Sequence, residues 1–168
     1  MRYLPIAVTA LVTVCLTPIF ASADDLNLPS RKPGEWQLTI QPPGMPKPIV
    51  TSICLDQATD KALMQAGLSM SKCSQMTVGH DGADLVIDGT CTVGGATIKS
   101  HTVLTGDFQS AYSVHVVSDR VAGSSPLPKH SEITQEAKWI GECTGLQPGE
   151  MLMPNGMKVN MLKMMGGG

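Results

Sequence analysis

From Cys73 onward the chain is cut at short intervals by glycine-bearing turn sequences, and this punctuation constrains the fold more than any other feature. His80-Asp81-Gly82-Ala83-Asp84 separates Met76–Val78 from Leu85–Ile87, Gly94-Gly95 lies between Val93 and Ala96, and Gly106-Asp107 lies between Thr105 and Phe108. Glycine at such places supplies the positive φ that hairpin turns require. Strands of roughly 8 to 10 residues, each returning through a tight turn, make an antiparallel meander. The chain has 168 residues, enough for one domain. With 42% hydrophobic and 15% charged residues it has the means to pack a core and is not intrinsically disordered.

Upstream of the meander, Glu35 to Gln41 alternates Trp36, Leu38 and Ile40 with polar residues, the period of a half-buried strand. Pro42-Pro43-Gly44-Met45-Pro46-Lys47-Pro48 is a stiff loop, because its prolines lack the donors a sheet needs. Ile49 to Leu55 reads as the returning strand. Asp56 then caps a helix that runs to Gly67 and carries an apolar stripe of Ala62, Leu63 and Ala66, which needs a sheet to cover it. Residues 119 to 131 read as an exposed loop, and Glu132 to Glu142 as a further strand with Ile133, Gln135, Ala137 and Trp139 on one side. The fold expected is mainly β, in the α+β class. It has six or seven antiparallel strands curved into a half-barrel or open barrel, with the helix of residues 56–67 packed on one face.

Residues 1 to 23 carry Arg2, an apolar stretch from Leu4 to Phe20 and Ala21-Ser22-Ala23 before Asp24-Asp25, the order of a secretory signal peptide. Pro5 and Pro18 interrupt that stretch, and it is too short for a membrane span. Cleavage after Ala23 places the protein in the periplasm, with no transmembrane span in the mature chain. The division expected is a signal at 1–23, a flexible lead-in at 24–34, one disulfide-bonded domain at 35–162 and a flexible tail at 163–168. Cys15 leaves with the signal, so four cysteines remain, and an even count in an exported domain reads as two disulfides. No C-x-x-C pair offers the close spacing of a zinc site. Four cysteines allow three pairings. Cys73 and Cys91 lie symmetrically about Gly82, so a three-residue loop of Asp81-Gly82-Ala83 sets His80 against Asp84 and Cys73 against Cys91, leaving Cys54 for Cys143.

These landmarks fall in a recognisable order. Gly34-Glu35-Trp36, Pro43-Gly44-Met45-Pro46, Cys54-Leu55, Cys73, Cys91, Lys138-Trp139-Ile140-Gly141-Glu142-Cys143 and Pro148-Gly149-Glu150-Met151 together resemble the bacterial family called domain of unknown function 3617. The resemblance spans about residues 31 to 162. It implies an exported, disulfide-bonded domain and brings no catalytic residues with it.

The chemistry-bearing residues are sparse. No G-x-S-x-G elbow is present. His101 and His115 fall in expected strands, where they pack across the sheet, whereas His80 and His130 fall in loops and are solvated. Asp81 and Asp84 belong to a turn and Asp88 to a strand, so they do not make a calcium loop. Net charge is -2 and no basic run exceeds Arg31-Lys32, which excludes nucleic acid as a partner. The reading is therefore a non-enzymatic periplasmic binding or interaction module for a hydrophobic ligand or an envelope partner protein. Two alternatives stand beside it. The thioethers of Met151, Met153 and Met157 form a soft ligand set that suits copper as Cu(I), although methionine also fills gaps in a core with so few aromatic residues. The protein is otherwise an inhibitor of a secreted enzyme or a structural envelope component.

Overall fold

The computed structural model describes residues 28–70, 72–126 and 128–166, so the expected signal peptide lies outside the described residues. Nine strands and two helices follow in the order β1 (Gly34–Gln41), β2 (Ile49–Leu55), α1 (Gln57–Met70), β3 (Lys72–Asp81), β4 (Asp84–Val93), β5 (Ala96–Asp107), β6 (Ala111–Gly123), β7 (His130–Gly141), β8 (Glu150–Leu152), β9 (Lys158–Asn160) and α2 (Met161–Met164). The strands form one antiparallel sheet in the order β3-β4-β5-β6-β7-β1-β2-β8-β9. β3 and β9 are its two free edges, so the sheet is open rather than closed. The mainly β class and open antiparallel architecture agree with the pattern of turns. The strand count exceeds the six or seven expected, because β8 and β9 are three-residue strands too short to leave a periodic signature.

Hairpins account for the run β3 to β7, and their boundaries sharpen the sequence reading. The β3–β4 turn has two residues, Gly82 and Ala83: Asp81 pairs with Asp84 and His80 with Leu85. The three-residue loop expected there is one residue too long. A β-bulge at Ser74 absorbs the difference and brings Cys73 opposite Cys91 after all. The expected loop at 119–131 is shorter too, because β6 extends to Gly123 and β7 begins at His130, with Asp119 and His130 as register partners. Gly34 opens β1 with φ of +131°, and a Cβ there would collide with the Gly141 carbonyl and the Trp139 indole. Only glycine fits where β1 meets β7 through a register shift.

α1 begins as its cap predicts. The Asp56 carboxylate accepts a 2.7 Å hydrogen bond from the Thr59 N–H, and the Thr59 hydroxyl and N–H together hold its pKa below the ordinary carboxylate value. The helix does not stop at Gly67 but continues to Met70, with Gly67 in ordinary helical backbone. Leu63 joins Trp36, Leu38, Ile53, Leu55, Tyr112 and Ala137 in the core. Trp36, Leu55 and Cys54 are the largest fully buried side chains among the described residues.

Described residues in two segments expected to be flexible make contacts with the domain. Residues 31–33, at the end of the expected lead-in, are tied to the domain. Arg31 Nε lies 2.6 Å from Asp60 Oδ1, and the Arg31 N–H donates to Asp60 Oδ2 at 3.0 Å. Lys32 N–H donates to the Phe108 carbonyl, and its Nζ sits 3.6 Å over the Trp139 ring. The indoles of Trp36 and Trp139 donate in turn to the carbonyls of Lys32 and Pro33. Burial alone would lower the Arg31 pKa. The oxygens of Tyr112 and Asp60 outweigh it, and the Arg31 pKa is raised. At the other terminus Lys163 and Met164, within the expected tail, belong to α2, and Met161, Leu162 and Met165 pack against the core.

Disulfides join Cys54 to Cys143 and Cys73 to Cys91. The first ties β2 to the segment just after β7, and the second clamps β3 to β4. Among the described residues no helix is long and apolar enough to cross a membrane.

Candidate functional site

Directly opposed residues in an antiparallel ladder share a face of the sheet. By register, Trp36, Leu38, Ala137 and Tyr112 fall on one face, which carries the core under α1. The same register places Asp88, His101, Val117 and Glu132 in a row across β4 to β7 on the other face. Lys99, Asp119 and His130 make a parallel row, as do Val86, Val103, His115 and Thr134. β3, β4 and β5 contribute no residue to the core cluster and β6 only Tyr112, with Val114 packed against it, so β3–β6 form a wing whose outer strands lie beyond the covered half.

A hollow of about 930 Å³ lies on this wing. It is lined by the continuous run Cys73–Thr77 of β3 together with Asp88, Thr90, Lys99, His101, Val117 and Asp119. A second hollow of about 370 Å³ continues along β3 from Thr77 to Asp81 and shares Asp88 and His101 with the first. The two make one groove following β3, lined by Val86, Val103 and Val117 as well as by polar groups. The groove is mixed in character: hydroxyl, amide, carboxylate, ammonium and imidazole groups are interspersed with a somewhat larger share of apolar surface.

Three of the four histidines stand on this face, each beside a carboxylate on a neighbouring strand. His101 Nδ1 is 2.8 Å from Asp88 Oδ1, His115 Nε2 is 2.8 Å from Glu132 Oε1, and His130 Nδ1 is 2.9 Å from Asp119 Oδ1. Their side chains are 41% to 61% exposed. Pairs so exposed contribute at most about 1 kcal/mol each to stability. What they do instead is fix an alternating array of donors and acceptors on the surface. His130 is solvated as expected, but it opens β7 in register with Asp119 rather than lying in a loop. The sequence carried a usable signal for these pairs: once β4 to β7 are aligned, Asp88 meets His101 and Asp119 meets His130.

The methionine set is divided. Met151 lies in β8 opposite Ile53 and packs against the core. Met153 and Met157 flank the β8–β9 turn, where the Met153 N–H donates to the Met157 carbonyl at 2.9 Å. Because Met151 pairs with Val159 and Leu152 with Lys158, all three methionines fall on one face of this hairpin, from the half-buried Met151 to Met157, which is 54% exposed. Among the described residues no group of three or more His, Cys, Asp or Glu side chains is placed to hold a metal ion.

A family model described as "Protein of unknown function (DUF3617)" matches residues 31–143, from the Arg31 anchor to the cysteine that closes the long disulfide. No curated protein and no solved structure matches the chain.

Proposed function

The chain belongs to the DUF3617 family, and we propose that it is an exported, non-enzymatic interaction module that holds a polar segment of an envelope partner protein in the groove of its β3–β6 wing. The observation that carries this reading is the chemistry of the groove, about 930 Å³ at its larger end with Gln75, Thr77, Asp88, Thr90, Lys99 and His101 along it. Small apolar ligands are held in enclosed, largely apolar pockets, whereas this surface is open and mixes polar with apolar groups. A polypeptide offers amides and side chains of both polarities, which suit alternating carboxylates and imidazoles. Two disulfides are compatible with export.

A photo-crosslinking residue at Lys99, compared with one at Lys163 on α2, tests the reading in the native envelope. A discrete protein adduct formed from position 99 and lost in Asp88→Asn/His101→Ala is expected. Absence of any groove-specific adduct, or an organic small molecule retained in native mass spectrometry, refutes it.

A second reading, Cu(I) held by thioethers, has the β8–β9 register in its favour, since Met151, Met153 and Met157 share one face of the hairpin. Replacing all three with leucine removes the sulfurs at nearly constant hydrophobicity. Unchanged Cu(I) affinity in that variant rules the reading out.

A further inference from the structure

We propose that the protein pairs with a second copy of itself along β3, joining the two sheets across a two-fold axis. β3 ends the strand order, so one side of its ladder faces no other strand among the described residues. An unpaired strand edge is a template for another strand, and proteins normally guard such edges with proline, charge, shortness or a covering element. The opposite edge is guarded: β9 has three residues and runs directly into α2. β3 has ten residues without proline, and beyond the bulge at Ser74 it pairs regularly with β4 from Gln75 to Asp81. Charge is confined to its ends, with Lys72 at one and His80 and Asp81 at the other.

The pattern of β3 selects the occupant. Met76 and Val78 are half-buried on one face, while Gln75, Thr77 and Gly79 are exposed on the other. Antiparallel pairing about an axis at Thr77 sets Thr77 against Thr77 of the second copy, Met76 against Val78 and Gln75 against Gly79. Opposed residues share a face, so apolar meets apolar and polar meets polar. The same arrangement lays the positive Lys72 end beside Asp81 of the second copy. A strand complementary to itself under a two-fold rotation is the requirement for an isologous dimer. Because β3 lines both hollows over its length, the grooves of the two copies meet at the axis on one side of the joint sheet. The inference does not depend on what the groove binds.

Sedimentation velocity on the disulfide-intact protein over a concentration series tests it, with two substitutions at the exposed Thr77. The wild type is expected to form a concentration-dependent dimer. Thr77→Lys, which brings two ammonium groups together at the axis, weakens it at least tenfold, and Thr77→Cys yields a disulfide-linked dimer by intact mass where Thr105→Cys does not. A wild type that stays monomeric at its solubility limit overturns the proposal. So does a dimer that Thr77→Lys leaves unchanged, or one that Thr77→Cys fails to link.

Discussion

The half of the sheet beneath α1 and the β3–β6 wing use the same antiparallel ladder but are held by different means. Under α1, β1, β2 and β7 bury Trp36, Leu38, Ile53, Leu55 and Ala137 against Leu63, with β8, β9 and α2 closing over the side. On the wing, Leu85 and Leu104 are buried, but most residues of β3 and β4 stay half or fully exposed on both faces. There the long ladder and the Cys73–Cys91 bond stand in for a second layer. The difference teaches that a chain with few aromatic residues can concentrate its core in one place and leave the rest of its sheet as accessible surface. The groove lies on the part that the core does not need.

Removing the two disulfides separately tests that division. Cys54→Ala/Cys143→Ala releases a cross-link spanning 89 positions and removes the sulfur of the fully buried Cys54. It is expected to cost about 4 to 5 kcal/mol in urea unfolding by loop entropy alone. Cys73→Ala/Cys91→Ala opens a span of 18 positions, worth about 3 kcal/mol in the same account. Its signature is local: faster amide exchange in β3 and β4 while β1 and α1 keep their protection. Equal loss of protection in α1 would show that the wing and the covered half unfold as one unit.

The smallest effect expected is at the helix cap. Asp56→Ala costs about 1 kcal/mol and acts on the covered half. Because the folded-state pKa of Asp56 is lowered by Thr59, the carboxylate's contribution is complete above the ordinary carboxylate pKa and is lost as pH falls through the lower folded value. Wild type and variant should therefore converge in stability under acid, as thermal melts across the acidic range would record. A gap that persists unchanged at low pH would assign the cap's effect to something other than its charge.

Much of the fold was legible because it is written in local sequence. Alternation marks β1, Asp56 marks the start of α1, and glycine-bearing turns mark the hairpins. What escaped depends on partners distant in sequence. Arg31 reads as part of a polar lead-in until Asp60, 29 positions on, is placed beside it. The bulge at Ser74 leaves no composition signal, so the cysteine register came out right on a turn counted one residue too long. β8 and β9 exist through pairing with β2 and each other rather than through propensity. The histidine–carboxylate pairs needed the register of four strands at once. The mix of polar and apolar groups along the groove follows from which residues share a face and not from overall composition, so it is legible only once the strands are aligned.

The Cys54–Cys143 bond has a topological consequence as well as an energetic one. All of α1 and strands β3 to β7 lie inside the covalent loop it closes. The connection between β6 and β7 is thus a place where the backbone can be cut without the molecule coming apart. A single protease nick there yields two polypeptides that travel as one on a nonreducing gel and separate only when the disulfides are reduced. With β6 and β7 still paired along their ladder, the nicked protein keeps its sheet, and the same connection is the natural place to insert a tag or reporter.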